Sequence, residues 1–185
     1  LIERNLAAGR AGKVAYIDDR GRTTFGELAA RVNRFANALV ELGMRPEERV
    51  LVCLLDSVDF PTAFLGSIKP AHALDFDALL KNADDAFEAA PTTRDDVCFW
   101  LYSSGSTGAP KGTMHIHSSL VTTAYLHGGP VVGVREDDVL FSAAKLFFAY
   151  GLGNALTYTL AFGTTTILMA ERPTPEAVFK RLKEH

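Results

Sequence analysis

The chain predicts an α/β fold, a mostly parallel sheet flanked by helices. Three observations carry that expectation. The segments RVLVCLL (49–55) and VCFWLY (97–102) are apolar without alternation, as in strands covered on both faces. Residues 25–42 instead repeat apolar side chains every three or four positions, the period of a helix with one buried face. The runs VLFSAA (139–144) and TTTILM (164–169) are further strand candidates with helical stretches between them, so strand and helix alternate.

In chain order, KVAYIDDRGRTTF alternates around Asp19-Arg20-Gly21 and predicts a hairpin turning at the glycine. Thr24 and Glu27 make a capping box for the helix that follows, whose apolar positions include Phe25, Leu28, Val32, Phe35 and Leu39 and which stops at Gly43. Strand 49–55 and a helix from about Ser57 to Ile68 then form a strand-helix unit. The stretch from Lys69 to Pro91 offers a helix, Phe76 to Ala90, without an evident strand. The last segment, PEAVFKRLKEH, is helical in pattern and stops without a capping glycine, so the chain reads as cut off.

Composition narrows the function. With 185 residues, 48% hydrophobic and 22% charged, the chain suits a soluble globular protein with one good-sized core. Its 19 Lys and Arg against 22 Asp and Glu contain no basic block that could neutralise a row of phosphates, which argues against a nucleic-acid partner. No run of about 18 apolar residues occurs and LIERNLAAGRAGK lacks the pattern of a cleaved leader, so neither secretion nor a membrane partner is expected. Cys53 and Cys98 each sit in an apolar run, which suits reduced, buried thiols and points to the cytoplasm.

The chemistry concentrates in YSSGSTGAPKG, residues 102–112, directly behind the apolar run VCFWL. In an open α/β sheet, ligands gather beyond the carboxyl ends of strands, which is where this loop falls. Gly105 and Gly108 can leave backbone N–H groups converging on an anion, Ser103, Ser104, Ser106 and Thr107 add hydroxyl donors, and Lys111 adds a charge. Such a set suits a polyphosphate, and the Thr107 hydroxyl could join the oxygen shell of a phosphate-bound Mg²⁺. The pattern is neither a Walker loop, because Pro110 precedes Lys111 and Gly112 follows it, nor GxGxxG. Composition alone also allows a flexible polar linker.

YSSGSTGAPKG resembles the phosphate-binding signature of the AMP-forming acyl/aryl-CoA synthetase superfamily. TMHIHSSLV resembles that family's next strand and helix, and KLFFAYGLGN (145–154) its aromatic motif beside the acyl pocket; with ALTYTLAFGTTTILM the wording is most similar to the benzoate-activating members. The resemblance implies a two-step reaction: a carboxylate attacks the α-phosphate of ATP to give acyl-AMP and pyrophosphate, and the thiol of coenzyme A then displaces AMP. By it Ser103, Ser104, Gly105, Ser106, Thr107, Gly108 and Lys111 hold the phosphates, with Lys111 and Thr107 catalytic. Phe148, Ala149, Tyr150 and Gly151 would border a small aromatic carboxylic acid, benzoate or a substituted benzoate. The implied cofactors and partners are ATP, Mg²⁺ and CoA; a homodimer stays open. Hydroxybenzoate, aminobenzoate and cinnamate-type ligases, or a non-catalytic nucleotide-binding fragment, are the alternatives. Without the motif, a Phe-Phe-Tyr cluster reads as core.

The resemblance covers residues 10–68 and 97–185, but the two blocks lie several dozen residues closer than in the family. It therefore implies that 1–185 is an incomplete N-terminal AMP-binding domain with a segment missing near 69–74. The adenine and ribose sites and the mobile C-terminal domain with its lysine would follow His185. His115 and His117, two apart on a probable strand, could begin a metal site only with a third ligand, and the resemblance places His117 in a turn between strand and helix. Lys145, at a strand end, is expected to be solvated, and the run 135–138 to be a surface turn.

Overall fold

The computed structural model describes residues 1–45, 48, 50–67, 76, 80, 81, 83–103 and 108–185. After helix α1, Ile2–Ala7, strands β1 (Val14–Asp18) and β2 (Gly21–Thr24) form the expected antiparallel hairpin, with Asp18 opposite Gly21. The turn closes because Asp18 Oδ1 accepts from the Arg20 N–H at 2.9 Å and Gly21 takes φ 136°, a conformation open to glycine. On its other edge β1 runs parallel to β6 (Thr165–Ile167), and β6 parallel to β5 (Val139–Phe141), giving the order β2-β1-β6-β5. The fold is thus α/β, with a mostly parallel sheet flanked by helices.

Helix α2 spans Phe25–Glu41 and begins in the capping box read from the sequence. Glu27 N–H donates to Thr24 Oγ1 at 3.2 Å, and Thr24 N–H donates back to Glu27 Oε2 at 2.8 Å. Those bonds favour the ionised carboxylate and hold Glu27 below its ordinary range. The buried face of α2 serves two clusters. Phe25 and Leu28 join Tyr16, Leu146, Leu156 and Leu160 in the main core, while Phe35 and Leu39 meet Met44 and Ala63. Helix α3, Asp59–Gly66, crosses α2 so closely that a Cβ on Gly66 would stand 2.9 Å from the Val32 carbonyl oxygen.

A second sheet pairs β3 (Val97–Ser103) with β4 (Lys111–Ile116). Helix α4, His117–Thr123, follows and opens into a π-helix over Ala124–Val132 that contains Pro130. After β5 come a short α5 (Ala149–Gly151), a π-helical Leu152–Thr157 and α6 (Tyr158–Phe162). Helix α7, Pro175–Glu184, is capped by Thr174.

Four expectations are corrected. Residues 50–55 form no strand: Val50, Val52 and Leu54 face the core, whereas Leu51 is 87% exposed and Cys53 and Leu55 point outward. The run alternates in burial because one face alone is covered, so the double-sided burial its composition suggested is not met. VCFWLY lies in an antiparallel hairpin rather than between parallel neighbours, and its middle residues are half-buried. Cys53 is therefore not a buried thiol, although Cys98 is half-buried and its thiol is pushed up to about 11 by desolvation. Finally, the helix read for 76–90 does not continue past Lys81 among the described residues. The carbonyls of Asp84, Asp85 and Ala86 instead accept from Asn37, Asn33 and Asn37 of α2 at 2.7–2.8 Å. A helix would have spent those acceptors internally.

Candidate functional site

The β3–β4 hairpin sets where the loop chemistry stands. Antiparallel pairing puts Ser103 directly opposite Lys111 and Tyr102 opposite Gly112. Ser103 and Lys111 are thus locked side by side at the facing ends of the two strands. Ser103, Gly108 and Lys111 are exposed, and Gly108 takes φ 105° with open space where a Cβ would sit. Gly112 is glycine for a different reason: the Tyr102 ring lies across it, and a Cβ would meet that ring at 2.9 Å. Ser104, Gly105, Ser106 and Thr107 fall outside the described residues, so of the expected phosphate set the structure brings together Ser103 and Lys111 and leaves Gly108 exposed.

The hairpin rests on the core through Phe99 and Leu101. Phe99 meets Phe64 edge-on at 5.2 Å and stacks on His115 at 4.7 Å, 6° from parallel. His115 is thereby part of an aromatic stack. His117 is the first residue of α4 and not a strand neighbour of His115, with its N–H donating to the Asp96 carbonyl at 3.1 Å. Among the described residues no group of three or more metal-ligating side chains assembles. His72 lies outside the described residues, whereas His127 Nδ1 sits 2.7 Å from the Tyr158 hydroxyl, a partnership the sequence did not reveal.

The aromatic motif is built as an exposed crest on a pinned base. Leu146 is fully buried, and Gly151 is packed so tightly that a Cβ would stand 2.2 Å from the Lys145 carbonyl oxygen. Between these anchors Phe147, Phe148, Ala149 and Tyr150 face outward, the two phenylalanine rings in contact at 4.4 Å. Phe148, Ala149 and Tyr150 are therefore available to a ligand, while Gly151 contributes by letting the chain turn. One cleft of the described residues is lined by Asp18, Arg20, Arg22 and Arg31 and another by Lys13, Ile17, Val139 and Glu184. Neither includes a residue of the aromatic motif.

Two charged groups pin that base. Lys145 is not solvated as expected: its Nζ donates to the carbonyls of Met169, Ala170 (3.3 Å) and Glu171 (2.8 Å), the segment just after β6. Asp56, only 4% exposed, accepts the Leu146 N–H with both oxygens, at 3.2 and 3.1 Å. Burial pushes the Asp56 carboxyl up from its ordinary value, and the Leu146 N–H and the nearby Lys145 charge pull partly back. Sequence reasoning missed Asp56. The available signal was a carboxylate set directly after the apolar run 50–55, at the end of what the pattern treats as buried chain.

Over the whole chain, 49% of residues are identical to a benzoate--CoA ligase of Thauera aromatica and 36% to a 4-hydroxybenzoate--CoA/benzoate--CoA ligase of Rhodopseudomonas palustris, of which it covers 46% and 45%. The crystal structure of a benzoate CoA ligase from Burkholderia xenovorans superposes with a TM-score of 0.89 at 43% identity, covering 100% of this chain and 47% of that one. The chain thus spans about half the length of the relatives it matches. A family model described as AMP-binding enzyme matches residues 3–74 and 67–185. On that match and that identity, the chain belongs to the AMP-binding enzyme family.

Proposed function

We propose that the chain is an incomplete N-terminal AMP-binding domain, residues 1–185, of an ATP-dependent aryl-CoA ligase acting on benzoate or a small substituted benzoate. The observation that carries the reading is the similarity over the full chain, 49% and 36%, to two ligases whose names include benzoate. A shortened segment near residues 69–74 belongs to the same proposal. It is supported by the family match dividing there, and by an alignment of 242 positions against the 185 residues present.

In this reading the acid's carboxylate attacks the α-phosphorus of ATP, the bond to pyrophosphate breaks, and acyl-AMP forms. The CoA thiol then attacks the acyl carbon and expels AMP. Two anions must meet in the first step, so the triphosphate charge has to be offset by fixed donors. Ser103 and Lys111, held side by side at the mouth of the hairpin, are suited to that, with Ser104, Gly105, Ser106, Thr107 and Gly108 completing the loop. A metal fits this donor set only sparsely: hydroxyl oxygens are hard ligands, but a single Thr107 hydroxyl would leave Mg²⁺ held mainly by phosphate oxygens. When bound, Mg²⁺ would neutralise phosphate charge. Phe148, Ala149 and Tyr150 offer the aryl ring a flat apolar wall, with Gly151 shaping the turn beneath them.

The test is ATP–pyrophosphate exchange by the full-length protein with benzoate, hydroxybenzoates, aminobenzoates and cinnamate. Benzoate should support the fastest exchange, and failure with every carboxylic acid would remove the enzyme reading. Lys111→Ala should slow exchange by a factor on the order of 10² while the protein stays folded, because an exposed cation is removed. An unchanged rate would take Lys111 out of the site.

A further inference from the structure

Asp56 is buried 90 residues before the aromatic motif in sequence, yet both its oxygens converge on the backbone N–H of Leu146, the residue at which the chain leaves the core to present Phe147 to Tyr150. A carboxylate in such a place is costly to bury unless its partner is fixed. The partner here is a main-chain group, so the bond constrains the path of the backbone rather than the position of one side chain. The second constraint comes from Lys145, whose ammonium is shared among three carbonyls at residues 169–171. Gly151 closes the far end, with no room for a Cβ against the Ala144 and Lys145 carbonyls. Residues 146–151 are thus a short arch held at both feet, and one foot stands on a charge from a different part of the chain.

We propose that Asp56 is a positioning residue for the aryl-acid wall: by accepting the Leu146 N–H, it sets the height and angle at which Phe148, Ala149 and Tyr150 meet the substrate ring. This rests on the aryl-ligase reading for the identity of the ligand, but the anchoring itself does not. That role involves no contact between Asp56 and substrate. The consequence is selective: loosening the arch should weaken capture of the aromatic acid and leave ATP binding at the hairpin loop intact.

The experiment uses the full-length protein with two near-isosteric variants. Asp56→Leu fills the space without an acceptor, and Asp56→Asn retains one oxygen for the Leu146 N–H. Hydrogen–deuterium exchange of peptides spanning 145–152 should rise at least tenfold in Asp56→Leu and stay within threefold of wild type in Asp56→Asn. In pyrophosphate exchange, KM for benzoate should rise about tenfold or more in Asp56→Leu with KM for ATP changed less than twofold, and Asp56→Asn should recover most of that loss. If Asp56→Leu does not fold, Asp56→Ala, which withdraws the acceptor without adding bulk, takes its place. Unaltered deuterium uptake over 145–152 would overturn the anchor. A faster uptake with both KM values rising in parallel, or with neither changing, would overturn the role in aryl-acid binding. If wild type exchanges with no acid at all, the ligase reading falls, and deuterium uptake still decides the anchor.

Discussion

Glu136 lies in the acidic turn 135–138, which the sequence assigned to the surface, and the structure gives it a partner as well. It pairs with Arg10, lies 3.5 Å from Lys13 Nζ, and its backbone carbonyl accepts from that same ammonium at 2.6 Å, joining the start of the chain to the turn before β5. The Arg10 hydrogen bond, ahead of the other charges, holds its carboxyl down at about 2. A depressed folded-state value adds stability that is present above the ordinary glutamate range and is lost as pH falls from there toward 2. Glu136→Gln should therefore flatten the acid limb of the stability profile between about pH 4.5 and 2, measured by thermal melting in low salt. Because the Glu136 side chain is half exposed, added salt should shrink the difference. A mutant acid limb that matches the wild type would show the pairing to be inert. The same scale explains the misjudged lysine: the sequence pattern set Lys145 at a strand end, but β5 stops at Phe141 and three carbonyls from residues 169–171 converge on the ammonium only after folding.

Among elements, α2 was the most readable, because its signals are local. Capping residues act within one turn and the apolar period needs no partner to be recognised. Thr24→Ala removes both the Oγ1 acceptor for Glu27 N–H and the hydroxyl bound to Glu27 Oε2 at 2.9 Å, and should cost about 1 kcal/mol in a urea titration. A loss below about 0.3 kcal/mol would mean that water caps the helix equally well. The hairpin β1–β2 was equally local. The π-helical segments were not: no local pattern marks a wide turn, and within the first Gly128 packs so closely that a Cβ would stand 2.9 Å from Tyr158 and Phe162. Nor could the run 50–55 be judged alone, because its composition is that of a doubly buried strand whether or not a second layer covers it.

For the molecule as a whole, the main core is made by segments far apart in sequence: Tyr16 from β1, Phe25 and Leu28 from α2, and Leu146, Leu156 and Leu160 from the motif and the helices after it. Leu156 is fully buried among them, and Leu156→Ala should lower unfolding free energy by about 2–5 kcal/mol, seen as a shifted urea midpoint in the full-length protein. A shift worth less than about 1 kcal/mol would mean that this cluster is not the centre of the fold. By itself the sequence determined the α/β class, the first hairpin, the capped helix, and a phosphate-loop wording specific enough to indicate the family. These depend on backbone preferences and on motifs whose atoms lie within a few residues of one another. Tertiary structure alone decided that Ser103 and Lys111 stand opposite each other, that residues 50–55 are covered on one side, and that a buried Asp56 holds the foot of the aromatic arch. Each of those is a meeting of groups across folded space, set by packing and by where a buried charge finds its hydrogen-bond partner, and no local pattern encodes that.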